Sequence, residues 1–287
     1  MENANLKKIL VNAVKIIISI GLLYFVFKKI PFREVAGLWS TVSIPYVLAA
    51  AVFFLASQIL STKRLEFYLE ANRFSLSFRS NLELYFLGMF YNFFIPGGIG
   101  GDAYKVYLLN KKFGWSAKKI TSALFNDRLS GLLAICVLIL GSSGFLFEPK
   151  WLPLIVIAMV SGIFLTLMIT RKWFPAYKPV FYTTLAYSVA IQALQVICFM
   201  LLLKSLGVNG HFAIYTVTFL GSSILSLISF AGIGVREMLF LQASKYFDFD
   251  PAVSVSASLL FTVITAFFSF FGIFFQLRKL HLHLKEN

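Results

Sequence analysis

Pro96-Gly97-Gly98-Ile99-Gly100-Gly101-Asp102 and Ala231-Gly232-Ile233-Gly234-Val235-Arg236-Glu237 interrupt long apolar stretches. Gly98-Ile99-Gly100 and Gly232-Ile233-Gly234 lie 134 residues apart, so the chain reads as two copies of one unit. Broken helices at matching positions of two halves are the best sequence pointer to a transport site in a membrane protein.

Working outward from the breaks, apolar runs of spanning length occur at about 9–29, 44–62, 119–141, 151–170, 179–203 and 252–277. Segments 80–95 and 213–229 each run into a glycine break, and each break is followed by a short amphipathic stretch, 102–110 or 235–247. The 134-residue offset carries 80–95 onto 214–229 and 119–141 onto 253–275. Each half therefore reads as two spans, a broken re-entrant hairpin and a third span. An odd number of crossings per half turns the second half upside down. The expected fold is an all-α polytopic membrane protein, one membrane domain over 1–287, with an inverted repeat dividing into about 1–145 and 146–287.

Composition agrees. The 287 residues are 59% hydrophobic and 13% charged, with mean hydropathy +0.82, against about 25% charged in water-soluble domains. The formal net charge of +14 comes from lysines and arginines in short loops between apolar runs. That distribution orients helices in a bilayer and argues against nucleic acid as partner. With both breaks as hairpins and both termini cytoplasmic, most basic residues fall inside. Complete crossings at 80–95 and 213–229 would split them almost evenly. The hairpin model is the one that satisfies the positive-inside rule. Lys7 and Lys8 precede the first apolar run, but small-residue cleavage spacing is missing, so a first membrane helix is expected rather than a cleaved leader.

Several side chains are candidates for a site. Asn81, Tyr85, Gly88 and Asn92 share one helical face before the first break. Ser188-Gln192-Gln195 and Thr262-Thr265-Ser269 form comparable stripes, read either as helix packing or, for Gln192 and Gln195 equally, as cavity lining. The amides of Gly97 to Gly101 at a helix start would suit an anion, although glycine also permits a tight turn. Asp102 is placed to cap the helix after the first break, and Glu237 to sit in a first helical turn. Arg236 maps onto Asp102 under the offset, which allows a charge-paired centre. It is the first choice for a phosphate ligand because guanidinium stays charged and donates in a fork. Asp127-Arg128 reads as a local ion pair at the interface, or Arg128 snorkels to a head group. A buried Glu83 could carry protons. No nucleophile-base arrangement, nucleotide loop or metal-ligand spacing is visible, so neither enzyme activity nor any cofactor or metal is expected.

Asn92-Phe-Phe-Ile-Pro-Gly-Gly-Ile-Gly-Gly-Asp102-Ala-Tyr-Lys105, Asn126-Asp127-Arg128-Leu-Ser-Gly131 and Gly232-Ile-Gly-Val-Arg236-Glu237 together resemble the lysylphosphatidylglycerol synthase transmembrane-region family. The resemblance covers nearly the whole chain. It implies translocation of an anionic lipid, either an aminoacylated phosphatidylglycerol or a polyprenyl-phosphate carrier. The synthases carry a soluble aminoacyl-transfer domain after the membrane region, whereas this sequence ends ten residues after its last apolar run. A stand-alone membrane protein without that transfer activity is therefore expected.

The expected function is flipping of a phosphate-bearing lipid in the cytoplasmic membrane by alternating access at the two hairpins. The substrate-binding residues would be Asn92, Gly98, Gly100, Gly101, Asp102, Lys105, Arg128, Gln192, Gln195, Gly232, Gly234, Arg236 and Glu237. The alternative is a non-transporting membrane partner of a glycosyltransferase or lipid-modifying enzyme.

Overall fold

A computed structural model of the chain describes residues 32–94, 100–226, 233–247, 249–278, 280 and 282–285, with isolated helical positions at 17, 20, 21, 24 and 28. Most of the 9–29 run lies outside the described residues. So do Gly97, Gly98, Ala231 and Gly232, the centres of the two breaks.

The described residues form ten α-helices. They are α1 (Phe32–Ser40), α2 (Ile44–Glu70), α3 (Phe78–Phe94), α4 (Gly100–Phe113), α5 (Ala117–Ser143), α6 (Leu152–Trp173), α7 (Phe181–Ser205), α8 (Phe212–Leu225), α9 (Val235–Ala243) and α10 (Pro251–Leu277). Five stretches are long and apolar enough to cross a membrane: Ile44–Glu70, Ala117–Ser143, Pro149–Trp173, Pro175–Ser205 and Pro251–Leu277. The chain is an all-α polytopic membrane protein.

Local chemistry accounts for several helix starts. Pro251 opens α10 at a position where its missing N–H is no loss, and the Asp250 carboxylate accepts the Ala252 and Val253 amides at 2.7 and 3.3 Å. Gly234, at φ +85°, precedes α9, and its N–H donates to Glu237 Oε2 at 2.7 Å. A side chain at that φ would be strained. Helix α2 runs past the expected end at 62, and Lys63 and Arg64 do not terminate it. Arg64 stays in the helix because its charge is met by a carboxylate on another span.

Contacts at the helix ends show how the hairpins enter. Phe74, before α3, stacks on Trp115, after α4, with ring centroids 4.5 Å apart. The α3–α4 pair thus leaves on the side it entered. On that side Asn72 donates to Tyr177 Oη at 2.9 Å, and Leu76 bridges to Leu284 of the C-terminal segment. The second pair does the same elsewhere. Tyr215, one turn into α8, packs on Phe249 after α9 at 4.9 Å. The start of α2 meets the end of α7 near it, where Ser43 N–H donates to Ser205 C=O at 3.1 Å. Since α2 has its first residue on one side and its last on the other, the two hairpins enter from opposite faces.

The packing partners are exchanged between halves in the manner of a two-fold. Helix α10 packs on α3 and α5 packs on α8, while α2 and α7 pack on each other across the middle. The α3–α10 approach is close because Gly272 has no side chain. A Cβ there would lie 2.3 Å from the Phe86 carbonyl oxygen. The core around α7, α8 and α10 is aromatic, with Phe199 stacked on Phe219 at 4.6 Å and on Phe240 at 5.2 Å. Helix α6 leaves most of its apolar surface uncovered, as a helix bordered by lipid would.

Candidate functional site

The first hairpin is built on two glycines. A Cβ on Gly101 would fall 2.0 Å from the Gly88 carbonyl oxygen, and one on Gly88 would fall 2.4 Å from Lys105 Cε. The backbones of α3 and α4 therefore touch. Asn92 Oδ1 accepts the Gly101 N–H at 2.9 Å, satisfying one of the amides that a helix start leaves free. The stripe expected on α3 is real. Asn81 donates to the Thr62 carbonyl of α2 at 2.7 Å, and Tyr85, Gly88 and Asn92 face α4.

Lys105 lies in the groove left by Gly88. Its ammonium sits 4.6 Å from the Tyr85 ring centroid and 3.7 Å from Asp102 Oδ1, and the residue is only 4% exposed. Asp102 is in the first turn of α4. Its carboxylate is engaged by Lys105 and by Arg128 Nε of α5, so it acts as an ion-pair partner. The expected pairs are corrected here. Arg128 pairs with Asp102 rather than with its neighbour Asp127, because the two side chains leave α5 in different directions.

Asp127 instead receives Arg64 from α2. Arg64 Nε and Nη2 donate to the two carboxylate oxygens at 2.7 and 2.9 Å, and Nη1 donates to Ser188 Oγ of α7 at 2.9 Å. Ser188 is in turn bonded to Ser130 of α5. The guanidinium passes over Gly131, where a Cβ would lie 3.4 Å from Nη1. Arg64 thus joins three spans. Its position beside Lys63 at the end of an apolar run carries no sign of a partner 63 residues away.

These groups surround a cavity of about 190 Å³ lined by Arg64, Tyr85, Asn92, Asp102, Lys105 and Arg128, among others. A second cavity of about 380 Å³ shares Arg64 and Arg128 with it. That one is mostly apolar, with Leu132 and Ile135 of α5, Gln192 of α7, and Ser223 and Ile224 of α8. Phe125 and Leu132 at its wall are exposed. A polar chamber lined by cations thus lies beside a mostly apolar one, with Arg64 and Arg128 bordering both.

Of the expected site residues, Asn92, Gly101, Asp102, Lys105 and Arg128 come together here, with Gly100 opening α4 beside them. Gln192 borders the groove, whereas Gln195 does not line either chamber. Gly98 and Gly232 lie outside the described residues.

The second hairpin contributes differently. Glu237 is fully buried as a local cap: Oε2 accepts Gly234 N–H and Oε1 accepts Ser258 Oγ–H, each at 2.7 Å. Arg236 does not pair with Asp102. Its guanidinium carbon lies 4.8 Å from the Phe261 centroid and 5.5 Å from that of Phe219, in the aromatic core. The Thr262 and Thr265 hydroxyls bond to carbonyls of their own helix, four residues back. Glu83 is ion-paired with Arg79 at 3.4 Å.

Comparison with known proteins agrees with this architecture. The family model described as lysylphosphatidylglycerol synthase TM region matches residues 12–183 and 169–272. No curated protein matches the chain. The chain belongs to the lysylphosphatidylglycerol synthase TM region family.

Proposed function

We propose that this member of the lysylphosphatidylglycerol synthase TM region family moves an anionic phospholipid across the cytoplasmic membrane, without enzymatic activity of its own. One observation carries the reading: a cation-lined chamber shares Arg64 and Arg128 with a mostly apolar groove whose wall residues Phe125 and Leu132 are exposed. A phosphate in the chamber would meet Arg64, Lys105 and Arg128. These three cations face two carboxylates, Asp102 and Asp127. The one positive charge in excess matches a phosphodiester monoanion. The acyl chains would lie along Leu132, Ile135 and Ile224 and remain in hydrocarbon.

The chamber sits between the first hairpin and α5. Ionisable side chains at membrane depth are costly and concentrate where ions or substrates pass. Alternating access follows from two hairpins that enter from opposite faces. We place the division between halves near residue 145 and both termini in the cytoplasm, the side that also receives the loops around Arg73, Lys111 and Lys178.

Lipid retention tests the site. Full-length protein extracted into mild detergent and examined by native mass spectrometry is expected to keep phosphatidylglycerol in preference to phosphatidylcholine. Lys105→Gln and Arg128→Gln should each weaken that retention about tenfold or more, since each removes a partner of a desolvated charge. Equal retention of both lipids, unaffected by either substitution, would contradict the assignment.

A further inference from the structure

We propose that the chamber admits an anionic head group and rejects one that also carries an ammonium, so that phosphatidylglycerol enters and its lysylated form does not. The inference rests on the lipid reading above and deepens it, from a phosphate-bearing lipid to one class of head group.

The lysylated lipid keeps the phosphodiester of phosphatidylglycerol and adds a lysyl ester with its two ammonium groups. Both lipids therefore offer the same phosphate to the cations. The choice between them falls on whether the site gives an ammonium an acceptor. An ammonium drawn out of water needs a carboxylate above all, or oxygens and an aromatic face in its place.

In the chamber each such group is already held by a donor of the protein itself. Of the chain's 12 acidic residues, Asp102 and Asp127 alone among the described ones line either cavity. One oxygen of Asp127 accepts Arg64 Nε at 2.7 Å, and the other accepts Nη2 at 2.9 Å. Asp102 Oδ2 accepts Arg128 Nε, and Oδ1 faces Lys105 Nζ at 3.7 Å. The Tyr85 ring carries the same Lys105 ammonium at 4.6 Å from its centroid. Asn92 Oδ1 accepts the Gly101 N–H at 2.9 Å. On the apolar side, all the lining groups besides Arg64 and Arg128 are neutral, Gln192 and Ser223 being the polar ones. An ammonium in either cavity would thus stand beside cations without a carboxylate of its own. Like charges brought together in a desolvated site are strongly disfavoured. The site then discriminates by repulsion, not by an extra contact to the favoured lipid.

A phosphate is placed in the opposite way. Lys105 Nζ is too far from Asp102 for a hydrogen bond, and Arg128 engages that carboxylate through Nε. The lysine ammonium and the outer nitrogens of the Arg128 fork are left to donate to an incoming phosphate.

Native mass spectrometry separates the head groups. Full-length protein in mild detergent is offered equimolar phosphatidylglycerol, lysyl-phosphatidylglycerol and phosphatidylcholine with matched acyl chains. Phosphatidylglycerol is expected to be retained over its lysylated form by about tenfold or more. Lys105→Gln vacates the Tyr85 face and one oxygen of Asp102, and Arg128→Gln frees the other oxygen. Each should lower the ratio of phosphatidylglycerol to lysyl-phosphatidylglycerol by about threefold or more, because an acceptor opens as a cation leaves. The Arg128 side chain is 45% exposed, so its variant decides the matter even if the Lys105 variant does not fold.

Three results would overturn the selectivity. Retention of the lysylated lipid equal to that of phosphatidylglycerol, with both above phosphatidylcholine, means that the ammonium finds an acceptor, and it leaves the phosphate reading standing. A ratio unchanged in both variants means that the chamber cations do not set the choice. Phosphatidylglycerol retained no better than phosphatidylcholine removes the lipid reading itself, and the selectivity with it.

Discussion

Arg64 and Asp127 join α2 to α5 by two hydrogen bonds and reach α7 through Ser188. Breaking one partner of such a buried pair leaves the other charge stranded, at about 3–5 kcal/mol. Asp127→Asn is therefore expected to destabilise the protein by that order in a thermal or denaturant series in detergent. Arg64→Met combined with Asp127→Leu should recover most of the loss, because both charges are gone. The recovered protein should bind phosphatidylglycerol poorly, since Arg64 also lines the chamber. A double variant no more stable than Asp127→Asn would show that the pair holds the fold in some other way. Gly101 makes a second demand on a single residue. A methyl there meets backbone, the Gly88 carbonyl, which no rotamer can relieve. Gly101→Ala should cost at least about 1–3 kcal/mol by forcing α4 away from α3, read as a lower Tm. At this scale the sequence was only partly legible. Asp102 and Arg128 stand out because each is a charge next to a break or at the start of a span, whereas Lys105 is marked only by the family resemblance. Arg64 does not stand out, because nothing local distinguishes a loop arginine from one that turns back to a carboxylate on another helix. The pairing of Asp102 with Arg236 failed for a related reason: an offset in sequence gives equivalent places in two halves, not contact between them.

The hairpins are the elements that the glycine pattern foretold, and their opposed entry was readable from the lysines and arginines around them. The short stretch expected at 102–110 is a full helix, Gly100–Phe113, because its polar face is covered by α3 and α5. A local pattern cannot show that cover. The C-terminal segment was not foreseen either. Leu284 pairs with Leu76, Lys285 N–H donates to the Ser75 carbonyl, and Ser77 N–H donates to the His283 carbonyl. The strap thus ties residues just before α3 to the last described residues of the chain. The hydrogen bond from Lys285 to Glu70, helped by the charges of Glu70 and Glu66, raises the ammonium pKa above the ordinary 10.5. Its raised value means that the ionic tie is complete below the ordinary lysine pKa and is lost only as pH climbs through the higher folded value. Removing the carboxylates by Glu66→Gln with Glu70→Gln should speed hydrogen exchange at the Ser77 and Lys285 amides at neutral pH, through local opening of the strap. Unchanged exchange would mean that the backbone pairing alone secures it.

For the whole molecule, two hairpins entering from opposite faces meet a central α2–α7 pair. Charges collect on one hairpin and aromatic packing on the other. That asymmetry departs from the two-fold suggested by the repeated glycines. It gives the first half a chamber with one positive charge in excess and the second a buried arginine held against Phe219 and Phe261. The central claim is that the chamber and groove carry a phosphate-bearing lipid through this frame. The direct test is the rate at which tail-labelled phosphatidylglycerol becomes accessible to an external quencher in liposomes containing the full-length protein. The structure predicts movement well above protein-free liposomes, lost by about tenfold or more in Lys105→Gln. A wild-type rate equal to that of protein-free liposomes would contradict it.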